Sequence, residues 1–459
     1  QRAYIDKSDA ASPTVSIEAV FITSVIDALE GRDVATADIP GAYLHADYDA
    51  DTLVRFDSTM AELLVKINPK IYKPYIEFGR NGNVVLYAKL KKALYGCLRS
   101  GLLFWKNLSS YLQRQGFILN PYDTCVANKK VNGSLCTIIW HVDDLKISHT
   151  NAAVVTEVLD VLCKKYGDLK ITRGKVHDYL GMTLDFSKKG AVKIIMDDYV
   201  KKFLDDSDPR HKGLAATPAN QNLFNIDENS QLITESESQA YHTSTAKLLF
   251  LAKRARPDLL TAVAFLTTRV KAPTIEDFDK LGRVVKYLRG TPTLFLTLEG
   301  NSDMKMIWRA DGSHAVHPDM RGHTGGFFTL GKGAIYSTST RQKINTKSST
   351  ETELVAADDV LTQGIWTKYF LEAQGFNKGN ILLLQDNMSA ILLERNGMVS
   401  SGKRTRHISI RAFWIADQVK KGIVTVEHEP TEDMVADYFT KPLQGSIFRK
   451  FRKLIMNEA

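Results

Sequence analysis

Short apolar runs alternate with polar turns through the first 185 residues, a pattern typical of strands joined by tight connections. The clearest pair is LCTIIWH (135–141) and LKISH (145–149), which flank two consecutive aspartates and predict a β-hairpin. Helical stretches lie between the other runs. We therefore predict one α/β domain over residues 1–185.

The pattern then becomes polar before it becomes helical. DDSDPRHKG (205–213) is typical of a loop, whereas AKLLFLAKRARPDLLTAVAFLTTRV (246–270) has a helical period that breaks at Pro257. We predict a helical connector over residues 186–303, and we use the name connector for this segment below.

From Met304 onward strands and helices alternate again. MKMIWRAD, GGFFTLG, AIYSTST, ILLLQDN and VTVEHEP predict strands, and SSTETELVAADDVLTQGIW predicts a helix. This order predicts a second α/β domain over residues 304–445, followed by a basic C-terminal tail at 446–459.

Composition narrows the class of protein. With 44% hydrophobic and 24% charged residues among 459, the chain is typical of globular proteins, and its net charge of +8 favours a polyanionic partner. The chain has four cysteines, namely Cys97, Cys125, Cys136 and Cys163, and none of them shows C-x-x-C spacing. This argues against a zinc knuckle or a disulfide framework and favours a reducing, intracellular setting.

No apolar run approaches the roughly 20 residues of a membrane span. Because the chain begins without Met, we expect a segment of a longer polyprotein.

Two sets of carboxylates are the strongest chemical signal. The first is Asp38 with Asp143 and Asp144, and the second is Asp311, Glu353, Asp386 and Asp437. Clustered carboxylates suit two-metal phosphoryl transfer, because each set could hold a pair of Mg²⁺ ions. The Asp-Asp dipeptide alone is weak support, since four occur, but only 143–144 falls between two apolar runs. In a tight turn the two carboxylates can converge, whereas on a regular strand they would face opposite ways.

In the second set, two aspartates are predicted at strand ends and Glu353 in the first turn of a helix. Glu353 has an alternative role, because Thr350-x-x-Glu353 matches a capping box. Ser348-x-x-Glu351 matches it equally well and would leave Glu353 free. Asp386 and Asp437 have their own alternative, as solvated or capping residues.

Several motifs resemble, in order and spacing, the Pol polyproteins of copia-type LTR retrotransposons. The reverse transcriptase part is carried by DIPGAYLHA (38–46), LKKALYGCLRSGLLFW (90–105), HVDDL (141–145) and YLGMTLDF (179–186). The later part is carried by YHTSTAKLLFLAKRARPD (241–258), WRADGSHA (308–315), RQKINTKSSTETELVA (341–356), QDNMSAI (385–391), KRTRHISIR (403–411) and VADYFTKPL (435–443).

The resemblance implies an α/β (α+β) fold with right-hand polymerase fingers and palm, a helical thumb or connector, and an RNase H-like domain. It implies that Asp38 and Asp143 bind the polymerase metals and that Asp144 is a less essential third carboxylate. The implied nucleotide and primer contacts are Tyr43, which would exclude a ribose 2′-hydroxyl, Tyr95 and Gly96 in the nucleotide pocket, and the primer grip Tyr179, Leu180, Gly181 and Met182. Without the motif, Tyr43 and Tyr95 would be ordinary core aromatics.

The same resemblance implies RNase H catalysis by Asp311, Glu353, Asp386 and Asp437. Two Mg²⁺ ions per site are implied, with Mn²⁺ as a substitute. The implied partners are an RNA template, a DNA primer strand, the RNA/DNA hybrid, dNTPs, a tRNA primer, and the integrase and Gag portions of the polyprotein. The implied location is cytoplasmic, in virus-like particles.

Departures from the family pattern keep a second hypothesis open. His141 replaces a tyrosine, LRSG (98–101) replaces K-Q-A-P, and Ser313 stands where a second aspartate is usual. The basic finger segment that opens the family's domain is expected to lie upstream of Gln1. The alternative is a degenerate or domesticated element protein that binds RNA/DNA hybrid without polymerising. His428, nine residues before Asp437, is more simply an exposed strand histidine than a catalytic one.

Basic residues accompany both sets of carboxylates and form three groups, namely Lys89, Lys91, Lys92 and Arg99; Lys403, Arg404, Arg406, His407 and Arg411; and Arg449, Lys450, Arg452 and Lys453. Such side chains position a duplex through its phosphates without reading its sequence. A solvated charged face explains any one group equally well.

Overall fold

A computed structural model describes residues 11–79, 81–376, 379–397 and 409–458. The N-terminal part contains helices α1 (Ile17–Glu30), α2 (Ser58–Ile67), α3 (Pro69–Tyr72), α4 (Ser100–Arg114) and α5 (Ala152–Tyr166). Its strands are β1 (Asp33–Asp38), β2 (Leu53–Phe56), β3 (Ile76–Phe78), β4 (Val84–Lys89), β5 (Ile118–Asn120), β6 (Asp123–Val131), β7 (Ser134–His141), β8 (Asp144–His149), β9 (Lys170–Gly174), β10 (Val176–Tyr179) and β11 (Met182–Asp185).

The connector contains β12 (Ala191–Ile195), α6 (Asp197–Asp205), α7 (Glu235–Ala252), α8 (Leu260–Thr267), α9 (Ile275–Gly290) and β13 (Leu296–Gly300). The C-terminal part contains β14 (Ile307–Ser313), β15 (His323–Thr329), β16 (Gly331–Lys332), β17 (Tyr336–Arg341), α10 (Ser349–Ala373), β18 (Ile381–Gln385), α11 (Met388–Asn396), α12 (Ser409–Lys420), β19 (Val424–His428) and α13 (Gly445–Met456). None of the helices in these described residues is long and apolar enough to span a membrane.

The N-terminal sheet is antiparallel and has the strand order β5-β6-β7-β8-β1-β9. It contains the predicted hairpin, since β7 pairs with β8 and His141 lies opposite Asp144. A small sheet, β2-β4-β3, lies beside it. These strands confirm the α/β character predicted for the first part of the chain.

A bridging sheet, β10-β11-β12-β13-β16, crosses both predicted domain boundaries. Its first two strands precede the connector, the next two belong to the connector, and the last belongs to the C-terminal part. The connector therefore contains two strands in addition to the helices that the sequence predicts. The strand AVKII (191–195) is short and its polar surroundings hide its period.

The C-terminal sheet has the order β17-β15-β14-β18-β19, with β14, β18 and β19 parallel and the other pairs antiparallel. Helix α10 packs across β14 and β15. The prediction of a basic tail at 446–459 is wrong for most of its length, because α13 is a docked helix. Its apolar residues recur at helical spacing and are buried, namely Phe448, Phe451, Ile455 and Met456.

Helix α1 lies between the N-terminal and bridging sheets. Every residue from Ala19 to Ala28 is buried, because the helix packs on β12 and β13 on one side and meets β8 on the other. One charge lies within this apolar layer. Asp27 forms an ion pair with Lys146 of β8, accepts a hydrogen bond from Ser148 Oγ at 2.6 Å, and lies 3.7 Å from Arg32 Nη1.

We predict that Asp27→Asn destabilises the protein by about 3 kcal/mol, because it leaves the Lys146 ammonium buried without its main counter-charge. The measurement is urea unfolding followed by circular dichroism. Asp208→Asn, which breaks the solvent-exposed ion pair with Arg210, is the matched control and should cost less than about 1 kcal/mol. Equal costs would contradict the prediction.

Candidate active sites

The N-terminal acidic site, defined by Asp38, Asp143 and Asp144, lies at one edge of the N-terminal sheet. Asp38 ends β1 and pairs directly with Asp144, the first residue of β8. Asp143 lies in the turn before β8, and its carbonyl accepts a hydrogen bond from Ile39 N at 3.2 Å. The fold thus brings together residues more than 100 positions apart in sequence.

The turn that carries Asp143 has an unusual backbone. Val142 has a φ of 60°, which is strained for a β-branched residue. Pairing of His141 with Asp144 closes the turn and holds this conformation. The strain therefore lies immediately beside the predicted metal ligands.

The carboxylates of this site influence one another. Burial raises the pKa of Asp144, the negative charges of Asp143 and Asp38 add to the rise, and His141 opposes it. Within the described residues, however, these three are not among the acidic groups whose oxygens all lie within 4.8 Å. The three carboxylates of the N-terminal acidic site thus lie along the same edge of the sheet but do not form a close cluster.

Two tyrosines lie near enough to Asp143 to respond to its charge. The ring centroids of Tyr43 and Tyr95 are 4.3 Å apart. Burial raises the pKa of both phenols, and the charge of Asp143 adds to the effect. Tyr95 is 52% exposed, so it is not an ordinary core aromatic. Gly96 follows it with a φ of 90°, which only glycine adopts readily.

The predicted primer grip forms the hairpin between β10 and β11. Leu180 and Gly181 make its turn, with φ of 53° and 77°. Tyr179 and Met182 are buried, and the Tyr179 hydroxyl donates to the carbonyl of Asp144 at 3.4 Å. The turn packs against the rest of the protein, since Leu180 is half-buried against the core and a Cβ on Gly181 would lie 3.4 Å from the Phe250 ring. The buried Tyr179 side chain contacts the backbone of the N-terminal acidic site.

The C-terminal acidic site, defined by Asp311, Glu353, Asp386 and Asp437, is more compact. One ligand oxygen from each of Asp311, Glu353 and Asp386 lies within 4.8 Å of the other two. The sequence suggested that Asp311 follows a strand, but in the structure it lies inside β14. Asp386 follows β18, the parallel neighbour of β14, so both aspartates lie toward the carboxyl ends of adjacent strands.

The start of α10 decides the role of Glu353. Ser348 is the N-cap and accepts from Glu351 N, while Glu351 accepts from Lys347 N at 2.6 Å. The capping role considered for Glu353 is therefore wrong. Glu353 instead accepts a hydrogen bond from Gly312 N at 2.8 Å. A side chain at Gly312 would clash, because its Cβ would lie 2.6 Å from the carbonyl oxygen of Thr352.

This group of carboxylates suits a hard divalent cation. Burial raises the pKa of Glu353 well above its ordinary value, and the negative charges of Asp311 and Asp386 raise it further. Oxygen ligands that repel one another in a buried site are the donor set that such a cation stabilises.

Asp437 reaches the site differently. It lies in a five-residue 3₁₀ helix (Val435–Phe439) and is buried rather than solvated. Burial raises its pKa to about 7, and the charge of Asp311 adds to the rise. Its Oδ1 lies 2.6 Å from Lys441 Nζ, and Lys441 Nζ lies 3.8 Å from Asp311 Oδ1. The fourth carboxylate is therefore linked to Asp311 through a lysine.

Sequence reasoning missed the groups that accompany these carboxylates. The Thr440 hydroxyl donates to Asp311, and the Thr431 hydroxyl donates to Asp386 at 3.0 Å. Lys441 was visible in the motif VADYFTKPL, but a lysine four residues after an aspartate is common on helix surfaces. His428 lies exposed at the end of β19, opposite Gln385.

The basic groups are largely paired. In the first group, ion pairs join Lys89 to Asp51, Lys92 to Asp47 and Arg99 to Asp49. In the second, Lys403, Arg404, Arg406 and His407 lie outside the described residues, and Arg411 pairs with Asp358 and Asp359. In the third, Lys450 pairs with Asp433 and Arg452 with Glu458, whereas Arg449 and Lys453 are exposed. The first group is thus better described as a charged face balanced by acidic neighbours.

Residues 1–221 match the family described as reverse transcriptase (RNA-dependent DNA polymerase). The retrovirus-related Pol polyprotein from transposon TNT 1-94 of Nicotiana tabacum is 25% identical over 463 residues, which covers 99% of this chain and 33% of the relative. The corresponding polyprotein from transposon RE1 of Arabidopsis thaliana is 27% identical over 373 residues, covering 80% of this chain and 25% of the relative.

The chain is similar over most of its length to retrotransposon Pol polyproteins, and its first 221 residues match the reverse transcriptase family. This confirms the resemblance drawn from the motifs. The chain spans only a third or less of the length of these relatives.

The fold is similar to that of the foamy viral protease-reverse transcriptase solved with an RNA/DNA hybrid. The TM-score is 0.50 at 11% identity, with 92% of this chain and 46% of that chain covered. At this identity the likeness concerns the fold alone, and it confirms the predicted combination of a polymerase fold with an RNase H-like domain.

A buried acid close to Gln385, the residue before Asp386, provides a pH test of this part of the C-terminal half. Glu394 of α11 is fully buried, and burial raises its pKa to about 8, although Gln385 and Arg395 oppose the rise. Because its unfolded pKa is lower, near 4.5, protonated Glu394 favours the fold, and stability should fall as the pH rises between these values.

We predict that Glu394→Gln removes this component. The free energy of unfolding of the variant, relative to the parent, should increase between about pH 5 and pH 8 by on the order of 1 kcal/mol per pH unit. Urea unfolding at both pH values measures it. A difference between the two proteins that does not change with pH would contradict the prediction.

Proposed function

We propose that this chain copies RNA into DNA at the N-terminal acidic site and hydrolyses the RNA strand of the resulting hybrid at the C-terminal acidic site. The observation that carries the proposal is the convergence of Asp311, Glu353 and Asp386, in a chain whose N-terminal half has the reverse transcriptase motifs on one sheet edge. Two distinct acidic sites match two distinct reactions on one substrate.

We further propose Mg²⁺ as the cation at both sites. Bound divalent ions would neutralise charge on the attacking and leaving oxygens of an in-line displacement. Support comes from the donor set, which consists of carboxylate oxygens without histidine or cysteine. Mn²⁺ satisfies the same ligands and is the natural substitute in an assay.

At the C-terminal acidic site, the chain's own groups hold the carboxylates in place. Gly312 N fixes Glu353, Thr440 fixes Asp311, and Thr431 fixes Asp386. Lys441 holds Asp437 close to Asp311. Each carboxylate thus has a donor that sets its orientation before any cation or substrate binds.

At the N-terminal acidic site, Tyr43 packs against Tyr95, and the charge of Asp143 raises the pKa of both phenols. We propose that this pair of rings forms one wall of the dNTP site. A rigid aromatic wall beside the metal ligands can exclude a sugar that has an additional hydroxyl.

The substrates and partners follow from the proposed reactions. They are an RNA template, a DNA primer and dNTPs at the first site, RNA/DNA hybrid at the second, and a tRNA-type primer for initiation. The foamy viral relative in fold was solved with an RNA/DNA hybrid, which supports the hybrid as the shared ligand. The alternative of a hybrid-binding protein without polymerase activity is not favoured, because both sets of carboxylates are intact.

We predict that the two activities separate by mutation. Asp143→Asn should reduce dNTP incorporation on an RNA template by more than about a hundredfold, because it removes a proposed metal ligand, and should leave hybrid cleavage intact. Glu353→Gln should do the reverse. Primer extension and cleavage of a labelled hybrid measure the two rates, and each variant is the other's folding control.

Loss of both activities in either folded variant would argue against independent sites. Hybrid binding by the parent with no primer extension would support the alternative protein class instead.

A second prediction concerns sugar selection. Tyr43→Ala should increase incorporation of rNTPs relative to dNTPs by about tenfold or more, because it removes the ring that stacks on Tyr95. The assay is primer extension with matched rNTP and dNTP pairs. Tyr43→Phe keeps the ring and should retain selectivity, so equal loss in both variants would assign Tyr43 a different role.

A further inference from the structure

The segment from Asp437 to Lys441 supplies three side chains to the C-terminal acidic site. They are Asp437 itself, Thr440, which donates to Asp311, and Lys441, which pairs with Asp437 and approaches Asp311. The segment belongs to no strand, and the 3₁₀ helix in which it begins is only five residues long. Short 3₁₀ turns have weak internal hydrogen bonding, so packing must fix the position of this segment.

That packing comes from the connector. The Tyr438 hydroxyl donates to the carbonyl of Asp258 at 3.1 Å, and the Thr261 hydroxyl donates to the carbonyl of Tyr438 at 2.6 Å. The side chain and the backbone of Tyr438 are therefore both held by residues 258–261. The Tyr438 ring also stacks on Phe448 of α13, with centroids 5.3 Å apart.

Asp258 is itself fixed by a buried network. Arg256 donates to both of its carboxylate oxygens at 2.8 Å, and the Tyr287 hydroxyl donates to Oδ2 at 2.8 Å. Arg256 also donates to the carbonyl and the hydroxyl of Thr291, at 2.8 and 2.7 Å. Arg256 and Asp258 are each 1% exposed.

Burying this ion pair is costly unless nearly every donor and acceptor is satisfied. Here the satisfied contacts join the segment before α8 to the end of α9, so the network forms a rigid corner of the connector. Tyr438 binds directly to that corner.

We propose that the Arg256–Asp258 pair positions Asp437 and Lys441 through Tyr438, so that connector residues complete the nuclease site. This inference rests on the nuclease activity proposed above. Asp258, Thr261 and Tyr438 are positioning residues, because none of them is among the carboxylates or their direct partners. The connector is then part of the nuclease as well as a link between two units.

Weakening the contact between the connector and Tyr438 should affect only part of the C-terminal acidic site. Asp311, Glu353 and Asp386 are set by β14, α10 and β18, and they should keep their places when the connector contact is weakened. Only the segment 437–441 should shift. The expected effect is therefore a weaker response to divalent cation at the nuclease site, with dNTP incorporation unchanged.

The test uses Tyr438→Phe in the full chain, with Tyr241→Phe as the matched control. Tyr241 is also a fully buried tyrosine, and its hydroxyl donates at the same 3.1 Å to the carbonyl of Leu266, which is not part of the segment 437–441. Both variants lose one buried tyrosine hydrogen bond. A general loss of stability should thus be similar in both.

The first measurement is amide hydrogen exchange of the peptide covering 435–441, without added metal. Tyr438→Phe should exchange about tenfold faster than the parent, and Tyr241→Phe should not. The second measurement is hybrid cleavage against Mg²⁺ concentration. Tyr438→Phe should require roughly tenfold more Mg²⁺ for half-maximal rate, as expected when an outer-shell contact is removed.

Thr261→Val removes the second contact by an independent route and should reproduce both effects. Exchange at 435–441 that is the same in Tyr438→Phe and Tyr241→Phe would overturn the positioning role. Absence of hybrid cleavage in the parent would overturn the proposed nuclease instead, and the exchange comparison would still decide the positioning.

Discussion

Repulsion between clustered carboxylates is the constraint on which the C-terminal half of this protein depends. Asp311, Glu353 and Asp386 offer oxygens within 4.8 Å of one another in a largely buried site. Held without compensation, such anions would destabilise the fold. Part of the repulsion is offset by hydrogen bonds from the backbone N–H of Gly312 and the hydroxyl of Thr440, and by the nearby ammonium of Lys441. A bound divalent cation would offset the rest of the repulsion between these carboxylates. The repulsion that destabilises the fold therefore also favours binding of a metal ion.

In the N-terminal acidic site the carboxylates are less tightly clustered, which reduces the repulsion between them. Asp38 and Asp144 face each other across two strands, while Asp143 lies on a strained turn with Val142 at positive φ. Two residues beyond Asp144, the same strand carries Lys146, whose buried ion pair with Asp27 anchors β8 to α1. The strained turn is thus followed by a strand, β8, whose position is fixed by this ion pair with α1.

The two halves are joined more closely than a simple linker would require. The bridging sheet takes strands from both halves and from the connector. On another surface, Trp366 Nε1 of α10 donates to the carbonyl of Tyr122 at 2.9 Å, and Asn120 donates to the carbonyl of Phe370 at 3.2 Å. Since α10 also carries Glu353, one helix connects the C-terminal acidic site to the N-terminal sheet. Both sites therefore belong to one continuous packed structure.

Local pattern in the sequence was enough for the hairpin around Asp143, the helix that begins after Ser348 and the strands of the C-terminal sheet, whereas the choice of candidate carboxylates also relied on the family resemblance. These features depend on residues within about four positions of each other, where periodicity and capping operate. The strands inside the connector, the docking of α13, the burial of Asp437 and the part played by Lys441 were decided by tertiary structure. The contacts of Thr440 with Asp311 and of Tyr438 with Asp258 span 129 and 180 residues, and no local period records which distant partner a buried polar group will meet.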